Sequence, residues 1–311
     1  MLYCLTMKEL LENVRTAALP SALKGKVADY IPALALADGR ALGIALSDAS
    51  GALYAAGESS ARFTIQSISK VLALAYVLAE RGEDAVFSRV GTEPTGDPFN
   101  SIIRLETSAR RKPYNPFINA GAIVVSSLMP GSDARERFAG FRNYVGNLVG
   151  NDSLAMDGEV FVSERDSAYR NRSIAWFLKE LRLIDGDVDD CLDGYFMQCA
   201  LSMNAEELSR IGAMLALDGI DPRREGRAMS PRAARVIKSL MVTCGMYDGS
   251  GQFAVDVAIP AKSGVGGGIL AAVRDRMGIA SYGPALDEQG NSIAGVDALR
   301  RLSSALDLRV L

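Results

Sequence analysis

The chain has 311 residues, of which 49% are hydrophobic and 23% charged, with a formal net charge of −3 and a pI near 5.3. This balance describes a globular protein with a large core, and the acidity argues against nucleic acid or an anionic membrane as the main partner. No stretch is apolar enough to span a membrane, and the first residues lack the basic start and cleavage site of a signal peptide. These features predict a cytoplasmic protein.

The sequence contains no histidine. This excludes every Ser-His-Asp and Cys-His catalyst, and it argues against zinc because only carboxylates and scattered thiols remain as ligands. Cys4, Cys191, Cys199 and Cys244 have no paired metal spacing, so in a reducing compartment we expect small, buried free thiols. A serine or cysteine nucleophile would have to use lysine, tyrosine or a carboxylate as its base.

The first predicted elements are a helix and a hairpin. Thr6 and Glu9 have the spacing of a capping box, which predicts a helix over residues 7–18. Residues 41–47 and 52–56 flank a turn at 48–51 and predict a β-hairpin.

The central stretch runs from Phe63 to Gly82. Phe63 to Ile65 is typical of the end of a strand, and apolar residues then recur at helical spacing until Gly82, where a C-terminal cap is expected. The helix is therefore predicted to begin at about Ser67.

Ser67 and Lys70 lie three residues apart, which places them on one helix face with the amine near the hydroxyl. The surrounding positions are apolar, so the helix is predicted to be buried, and burial favours a neutral lysine. Ser67 is thus a candidate nucleophile and Lys70 its candidate base. The same spacing recurs at Ser21 and Lys24 in a predicted polar loop, so spacing alone is not specific.

The rest of the chain is mainly helical and then β. Helices are predicted over 119–129, 132–148, 167–182, 187–201, 205–217 and 231–243, the last two beginning at the cap residues Asn204 and Ser230. Residues 261–273 and 277–282 predict a second hairpin, and a closing helix over about 293–307 follows Ser292.

This order predicts an α+β fold with one antiparallel sheet built from both termini, the first and last helices packed on it, and a large helical lobe inserted. We expect a single domain over 1–311, in which 1–66 and 246–311 form the sheet part and 67–245 the mainly helical part. Ser67 would lie in the cleft between the two parts.

A second motif, Lys262-Ser263-Gly264, opens the first C-terminal strand. Together with Ser67-x-x-Lys70 it reproduces two of the three signatures of the penicillin-recognising serine enzymes. In that arrangement an edge strand lies beside the nucleophile, so the backbone N–H groups of Ser67 and Val265 can form an oxyanion hole. The third signature is formally present at 202–204, where a helix cap explains it better, and Tyr247 can relay a proton instead.

Together these residues resemble the serine-dependent glutaminases of the β-lactamase-like fold, from about Val27 to Ser303. The resemblance is carried by 28–32, 66–70, 93–96, 115–123, 163–165, 170–171, 195–196, 244–248 and 260–265. It implies hydrolysis of L-glutamine to L-glutamate and ammonia by a homotetramer with no metal or organic cofactor. One departure is Ala168-Tyr169, where the resemblance leads us to expect Gly-Asp, and it adds bulk and removes acidity near Asn171.

The resemblance also implies residue roles. Ser67 would be the acyl-forming nucleophile, Lys70 its base, and Tyr247 a proton relay or substrate contact. Apart from the resemblance, a base near neutrality needs a lowered pKa, and we expect burial and a nearby positive charge such as Lys262 to lower that of Lys70. The substrate shell would comprise Tyr30, Gln66, Ser67, Asn119, Glu164, Asn171, Tyr195, Tyr247 and Val265. In this shell Glu164 suits the ammonium of free glutamine, whereas asparagine and tyrosine donors suit its α-carboxylate.

Several alternatives stay open at this point. Taken singly, Asn119 also fits a helix cap and Glu164 an exposed surface carboxylate. A β-lactamase or DD-peptidase-like serine hydrolase of the same fold is the nearest competing enzyme, although the missing export signal counts against it. A catalytically silent amino-acid-binding protein is the competing non-enzyme.

Overall fold

The computed structural model describes residues 6–107, 111–224 and 226–309. Both ends of the chain build one five-stranded sheet. Its order is β2 (Leu53–Gly57), β1 (Gly43–Asp48), β7 (Met277–Tyr282), β6 (Gly268–Val273) and β5 (Ala261–Ser263). Every neighbouring pair is antiparallel, and β1 joins the C-terminal strands through β7, with Ala45 opposite Ala280. The predicted sheet from both termini is therefore confirmed.

The stretch predicted as one strand over 261–273 is two strands. The chain reverses at 264–267, where the Gly264 N–H donates to Gly268 O and the Gly267 N–H to Gly264 O, both at 2.9 Å. Gly267 has φ +95°, which a glycine adopts at little cost. A cluster of glycines is itself a turn signal, which the prediction of a single strand over 261–273 leaves out.

The helices include all those predicted. They are α1 (Met7–Ala18), α2 (Ser69–Phe87), α3 (Ile103–Thr107), α4 (Asn119–Ser127), α5 (Ala134–Val149), α6 (Gly158–Ser167), α7 (Tyr169–Glu180), α8 (Val188–Cys199), α9 (Ala205–Ala216), α10 (Pro231–Cys244), α11 (Ser250–Asp256) and α12 (Ile293–Leu306). Side-chain caps at Thr6, Asn204, Ser230 and Ser292 confirm four predicted starts. The helices α3, α6 and α11 were not predicted.

The central helix differs from its prediction at both ends. A 3₁₀ turn, Gln66–Ile68, comes first, so α2 begins at Ser69 rather than Ser67. At Gly82 the backbone takes φ +78° and ψ 176°, and helical conformation then resumes up to Phe87. Gly82 therefore kinks the element where an end was predicted.

Helices cover both faces of the sheet. α1 and α12 pack on one face and α9 on the other. The side chains of β6 alternate accordingly, because Ile269, Ala271 and Val273 belong to the apolar core under α1 and α12, whereas Leu270 and Ala272 belong to the core that includes α9. The predicted packing of the first and last helices on the sheet is confirmed.

Two glycines allow α9 to approach the sheet closely. A Cβ atom on Gly278 of β7 would lie 2.0 Å from the backbone nitrogen of Ala213, and one on Gly212 would lie 2.5 Å from the carbonyl oxygen of Ala271. The helix and strand backbones are thus in direct contact.

A second, two-stranded sheet pairs β3 (Phe63–Thr64) with β4 (Ser202–Met203) and leads directly into the turn that precedes α2. α2 itself is buried among α4, α5, α8 and α10. No helix within the described residues is long and apolar enough to cross a membrane.

Candidate active site

Ser67 lies in the 3₁₀ turn between β3 and α2 and is 8% exposed. Lys70 follows three residues later in the first turn of α2, a spacing that places the two side chains on the same side of the helix start. Gln66 has φ +46°, a left-handed conformation that is uncommon for a residue with a side chain. This local strain makes the sharp change of direction from strand to helix.

Lys70 is 1% exposed, and its Nζ donates two hydrogen bonds. One goes to the carbonyl oxygen of Phe117 at 3.1 Å and the other to Oδ1 of Asn119 at 2.7 Å, so neither goes to Ser67. Burial lowers the pKa of Lys70 to about 8, while the negative charge of Glu164 acts in the opposite direction. A substantial fraction of this amine is therefore neutral near physiological pH.

Lys262 is also fully buried, and its Nζ donates to the carbonyl oxygen of Ser263 at 2.5 Å. The amine lies 4.5 Å from the centre of the Tyr247 ring. Burial, followed by the charge of Lys70, holds the pKa of Lys262 well below its usual value. Burial thus lowers the pKa of both amines, and the charge of Lys70 adds to the shift of Lys262. That Lys262 in turn lowers the pKa of Lys70 stays a prediction.

A cavity of about 340 Å³ opens beside Ser67. Eight residues predicted for the substrate shell line it, namely Tyr30, Gln66, Ser67, Asn119, Glu164, Asn171, Tyr195 and Val265. The cavity is also lined by residues that were not predicted, namely Ile31, Phe99, Asn100, Ser167, Ala168, Arg170 and Cys199. The tertiary structure thus brings together side chains from α4, α6, α7, α8 and the turn between β5 and β6.

Glycines explain how Val265 reaches the cavity. A Cβ atom on Gly266 would lie 2.2 Å from the carbonyl oxygen of Thr64, and one on Gly264 would lie 2.5 Å from that of Ile65. The β5–β6 turn therefore rests directly on the backbone that leads into Ser67.

Asn119 connects the lysine to the cavity. Its Oδ1 accepts from Lys70 and, at 3.4 Å, from the Tyr195 hydroxyl, while its Nδ2 donates to Oδ1 of Asn171 at 2.9 Å. The N-cap of α4 is Ile118, with no side-chain cap. The alternative that Asn119 serves as a helix cap is therefore wrong, since its amide is engaged in this network.

Glu164 points inward from α6 and is 8% exposed. Its Oε2 has no hydrogen-bond partner among the described residues. Burial raises the pKa of this carboxyl to about 7, and the Gln66 side chain and the Lys70 charge oppose that shift. The alternative of an exposed surface carboxylate is wrong, and the unpaired buried oxygen favours a cationic ligand.

Tyr247 lies behind the cavity and does not line it. Its ring packs on Phe99 with 4.9 Å between centres, and it lines an adjoining cavity of about 290 Å³. Burial raises the pKa of its phenol, while Ser67 and the backbone N–H of Val265 lower it. Both groups are therefore close to the hydroxyl, although no contact among the described residues has the geometry of a hydrogen bond.

The two residues that depart from the resemblance, Ala168 and Tyr169, lie at the junction between α6 and α7 and have different surroundings. Ala168 lines the cavity, whereas Tyr169 is 77% exposed, so the added bulk faces solvent. Arg170 follows and lines the cavity. Among the described residues that line the cavity, Glu164 is the one carboxylate and Arg170 the one cation.

The residues missed by sequence reasoning gave little signal. Arg170 precedes Asn171 in the 170–171 motif, and its charge next to a predicted substrate residue is a signal that could have identified it. Phe99 and Cys199 are apolar in character and carry no pattern that distinguishes them from core residues.

No group of three or more cysteine, aspartate or glutamate side chains within the described ranges could hold a metal ion. Cys191, Cys199 and Cys244 are free thiols, the first two buried and the third partly exposed. Cys4 lies outside the described residues.

The sequence model of the glutaminase family matches residues 25–311. The chain belongs to the glutaminase family. Glutaminase 2 of Clostridium perfringens is 48% identical over 304 residues, which cover 98% of this chain and 100% of that protein. The glutaminase of Geobacillus thermodenitrificans is 50% identical over 286 residues, 92% of this chain and 93% of that protein. The family predicted from the sequence is confirmed.

A solved glutaminase has the same fold. The structure is that of a Bacillus subtilis glutaminase in covalent complex with 5-oxo-L-norleucine, formed by reaction with 6-diazo-5-oxo-L-norleucine. It matches with a TM-score of 0.90 at 36% identity and covers 98% of this chain and 100% of that one. The predicted glutaminase fold is thus confirmed, and glutaminase activity, the hydrolysis of L-glutamine, is supported for this chain.

Proposed function

We propose that the chain hydrolyses L-glutamine to L-glutamate and ammonia through an acyl-enzyme on Ser67, with Lys70 as the base. The observation that carries this assignment is the state of the Lys70 amine. A neutral amine has two N–H groups and one lone pair, and both N–H groups already have acceptors in Phe117 and Asn119. The lone pair is left to accept the hydroxyl proton of Ser67, which lies three residues earlier on the same side of the helix start.

In the first half-reaction, Ser67 Oγ bonds to the side-chain carbonyl carbon of glutamine as its proton passes to Lys70. The backbone N–H groups of Ser67 and Val265 would hold the oxyanion. The C–N bond then breaks as the departing nitrogen takes up the proton that Ser67 gave to Lys70, and ammonia leaves. Tyr247 is close to both Ser67 and Val265, so its phenol can carry that proton.

In the second half-reaction, water adds to the acyl carbon, the bond to Ser67 Oγ breaks, and one proton of the water ends on that oxygen, which releases glutamate and restores the serine. The covalent adduct of the Bacillus subtilis glutaminase supports a nucleophile of this kind in the family. Lys262 is buried, and its amine holds the Ser263 carbonyl and the Tyr247 ring in place.

The charges of the cavity fit a free amino acid. The unpaired, buried Glu164 suits the α-ammonium, and Arg170, together with Asn119, Asn171 and the tyrosine hydroxyls, suits the α-carboxylate. A peptide-bound glutamine lacks both charges and would leave these groups desolvated without partners.

One assay tests the proposed function. Ammonia release is measured with L-glutamine, L-asparagine and D-glutamine on the wild type and on Ser67→Ala. We expect release from L-glutamine that Ser67→Ala abolishes. A Ser67→Ala variant that works near the wild-type rate would refute the nucleophile assignment. Glutamine binding by calorimetry without any ammonia would instead favour the silent binding protein, and stoichiometric acylation by a labelled penicillin the β-lactamase-like hydrolase.

The homotetramer and the cytoplasmic location are proposed on the resemblance and on the sequence alone. Light scattering of the purified protein measures the first, and fractionation of the source cells measures the second.

A further inference from the structure

Asn115 is a fully buried asparagine whose side chain makes three hydrogen bonds to the backbone. Its Oδ1 accepts from the N–H groups of Phe117 at 2.9 Å and Ile118 at 3.1 Å. Its Nδ2 donates to the carbonyl oxygen of Glu93 at 2.9 Å. An amide satisfied in this way fixes the backbone that follows it and ties that backbone to the 91–93 segment.

The backbone fixed by Asn115 supplies both acceptors of the Lys70 amine. The carbonyl oxygen of Phe117 accepts at 3.1 Å, and Asn119, two residues further on, accepts at 2.7 Å through its side chain. α4 holds the same segment from the other side, since a Cβ atom on Gly121 would lie 2.0 Å from the carbonyl oxygen of Asn115. The Phe117 carbonyl therefore cannot turn away from the Lys70 amine while the rest of this segment stays in place.

We propose that Asn115 is a positioning residue for the reaction, which aims the lone pair of Lys70 by holding the Phe117 carbonyl against its amine. This inference rests on the proposed function of Lys70 as the base. An amine with both N–H directions fixed has its lone-pair direction fixed as well. If the Phe117 carbonyl were free to move, the amine could rotate and would spend less time aimed at Ser67.

Asn115 does not line the substrate cavity, and Asn119, the one member of the substrate shell on the backbone that Asn115 fixes, is also held by its own N–H, which donates to the carbonyl oxygen of Phe99 at 2.9 Å. We therefore expect Asn115→Ala to lower kcat about 10- to 100-fold, the scale of a displaced catalytic group, with KM changed less than about threefold. The carbonyl stabilises the charged amine more than the neutral one, so its loss also moves the acid limb of the kcat profile to lower pH. Asn115→Ser can still accept from the N–H two residues on, and we expect it to restore part of kcat.

Asn151→Ala is the matched control. Asn151 also closes a turn with its side chain, since its Oδ1 accepts from the N–H of Ser153, two residues on, at 3.0 Å and its Nδ2 donates to the Glu207 carboxylate at 2.6 Å, but it is half-buried and lies outside the cavity. We expect it to lower the melting temperature and leave kcat and its pH profile unchanged. The rates are given per folded molecule, measured by circular dichroism, so that loss of fold is not read as loss of rate.

Two outcomes separate the inference from the function on which it rests. If Lys70→Met keeps the wild-type rate, the base assignment itself is wrong. If Lys70→Met is inactive but Asn115→Ala keeps the wild-type kcat and pH profile, the positioning role alone is overturned. A uniform fall in kcat with an unmoved pH profile and no recovery in Asn115→Ser would mark a merely structural residue and would also overturn it.

Discussion

Lys70 donates a 2.7 Å hydrogen bond to the side-chain oxygen of Asn119, whose nitrogen in turn donates to Asn171 at the cavity wall. The side-chain amide of Asn119 thus contacts both the buried amine of Lys70 and the wall of the substrate cavity. A change in the orientation of Asn119 therefore affects both the proposed base and the proposed substrate shell, which form one hydrogen-bonded unit.

The nucleophile can be tested against an internal control. Ser67→Ala is expected to lower kcat about 10⁴-fold or more, the usual cost of removing a nucleophile that forms a covalent intermediate. The second Ser-x-x-Lys pair, Ser21 and Lys24, lies outside the cavity, and Ser21 donates only to the carbonyl oxygen of Ala18. Ser21→Ala should keep the wild-type rate of ammonia release, and equal losses in the two variants would contradict the assignment.

The reaction should be fastest on the alkaline side of neutrality. Lys70 acts as a base only when it is neutral, and its pKa is about 8, so kcat is expected to fall about tenfold per pH unit below that value and to level off above it. Stopped-time ammonia assays from pH 6 to 9.5 measure the profile. A kcat that is flat between pH 6 and 8 would show that the group with this pKa is not the base.

Glu164 is expected to act on both binding and the base. Glu164→Gln removes the partner of the substrate ammonium and should raise KM for L-glutamine about 10- to 100-fold, the range for a hydrogen bond to a charged group. The negative charge of Glu164 raises the pKa of Lys70, so its removal should also shift the acid limb of kcat to lower pH. In the wild type, KM should rise as pH falls through about 7, where the carboxyl gains its proton.

The control for this variant is Glu159→Gln, which removes an exposed carboxylate from the first turn of the same helix. It should change neither KM nor the pH profile. A Glu164→Gln enzyme with the wild-type KM would mean that the ammonium binds elsewhere.

Arg170 is expected to contribute to recognition of the α-carboxylate. It is an exposed cation, so Arg170→Gln should raise KM for L-glutamine only about two- to fivefold. The variant should lose discrimination against L-glutaminamide, in which the carboxylate is replaced by a neutral amide. Arg165→Gln removes an equal charge outside the cavity. An equal rise in KM in that variant would mean that Arg170 acts through the overall electrostatic field and not through contact with the substrate.

The contact between α9 and the sheet sets a prediction for stability. A methyl group at Gly278 would overlap the backbone of Ala213, so Gly278→Ala should destabilise the protein by about 1 to 3 kcal/mol or more. Gly251 is exposed on α11 with no atom within 4 Å of the added Cβ, so Gly251→Ala should be neutral or stabilise by about 0.5 to 1 kcal/mol. Urea unfolding of both variants measures the difference, and equal midpoints would contradict the close packing.

The sequence by itself determined the elements whose signals are local. The capping boxes at Thr6 and Asn204 depend on residues three positions apart, and the Ser67–Lys70 face depends on one turn of helix. The order of strands and helices restricted the fold to a sheet assembled from both termini. The motif residues then selected the glutaminase family, because a long ordered set of uncommon residues is more specific than any single spacing.

Only the tertiary structure decided what depends on contacts between distant segments. The break at Gly264–Gly267 brings Val265 onto the strand before Ser67, a contact that a cluster of glycines, itself a turn signal, does not specify. Helix α6 went unpredicted, and its inward-facing Glu164 is a charged residue where a hydrophobic pattern expects an apolar one. The lowered pKa of Lys262 likewise follows from the tertiary structure, because desolvation depends on everything packed around an amine and not only on its neighbours in sequence.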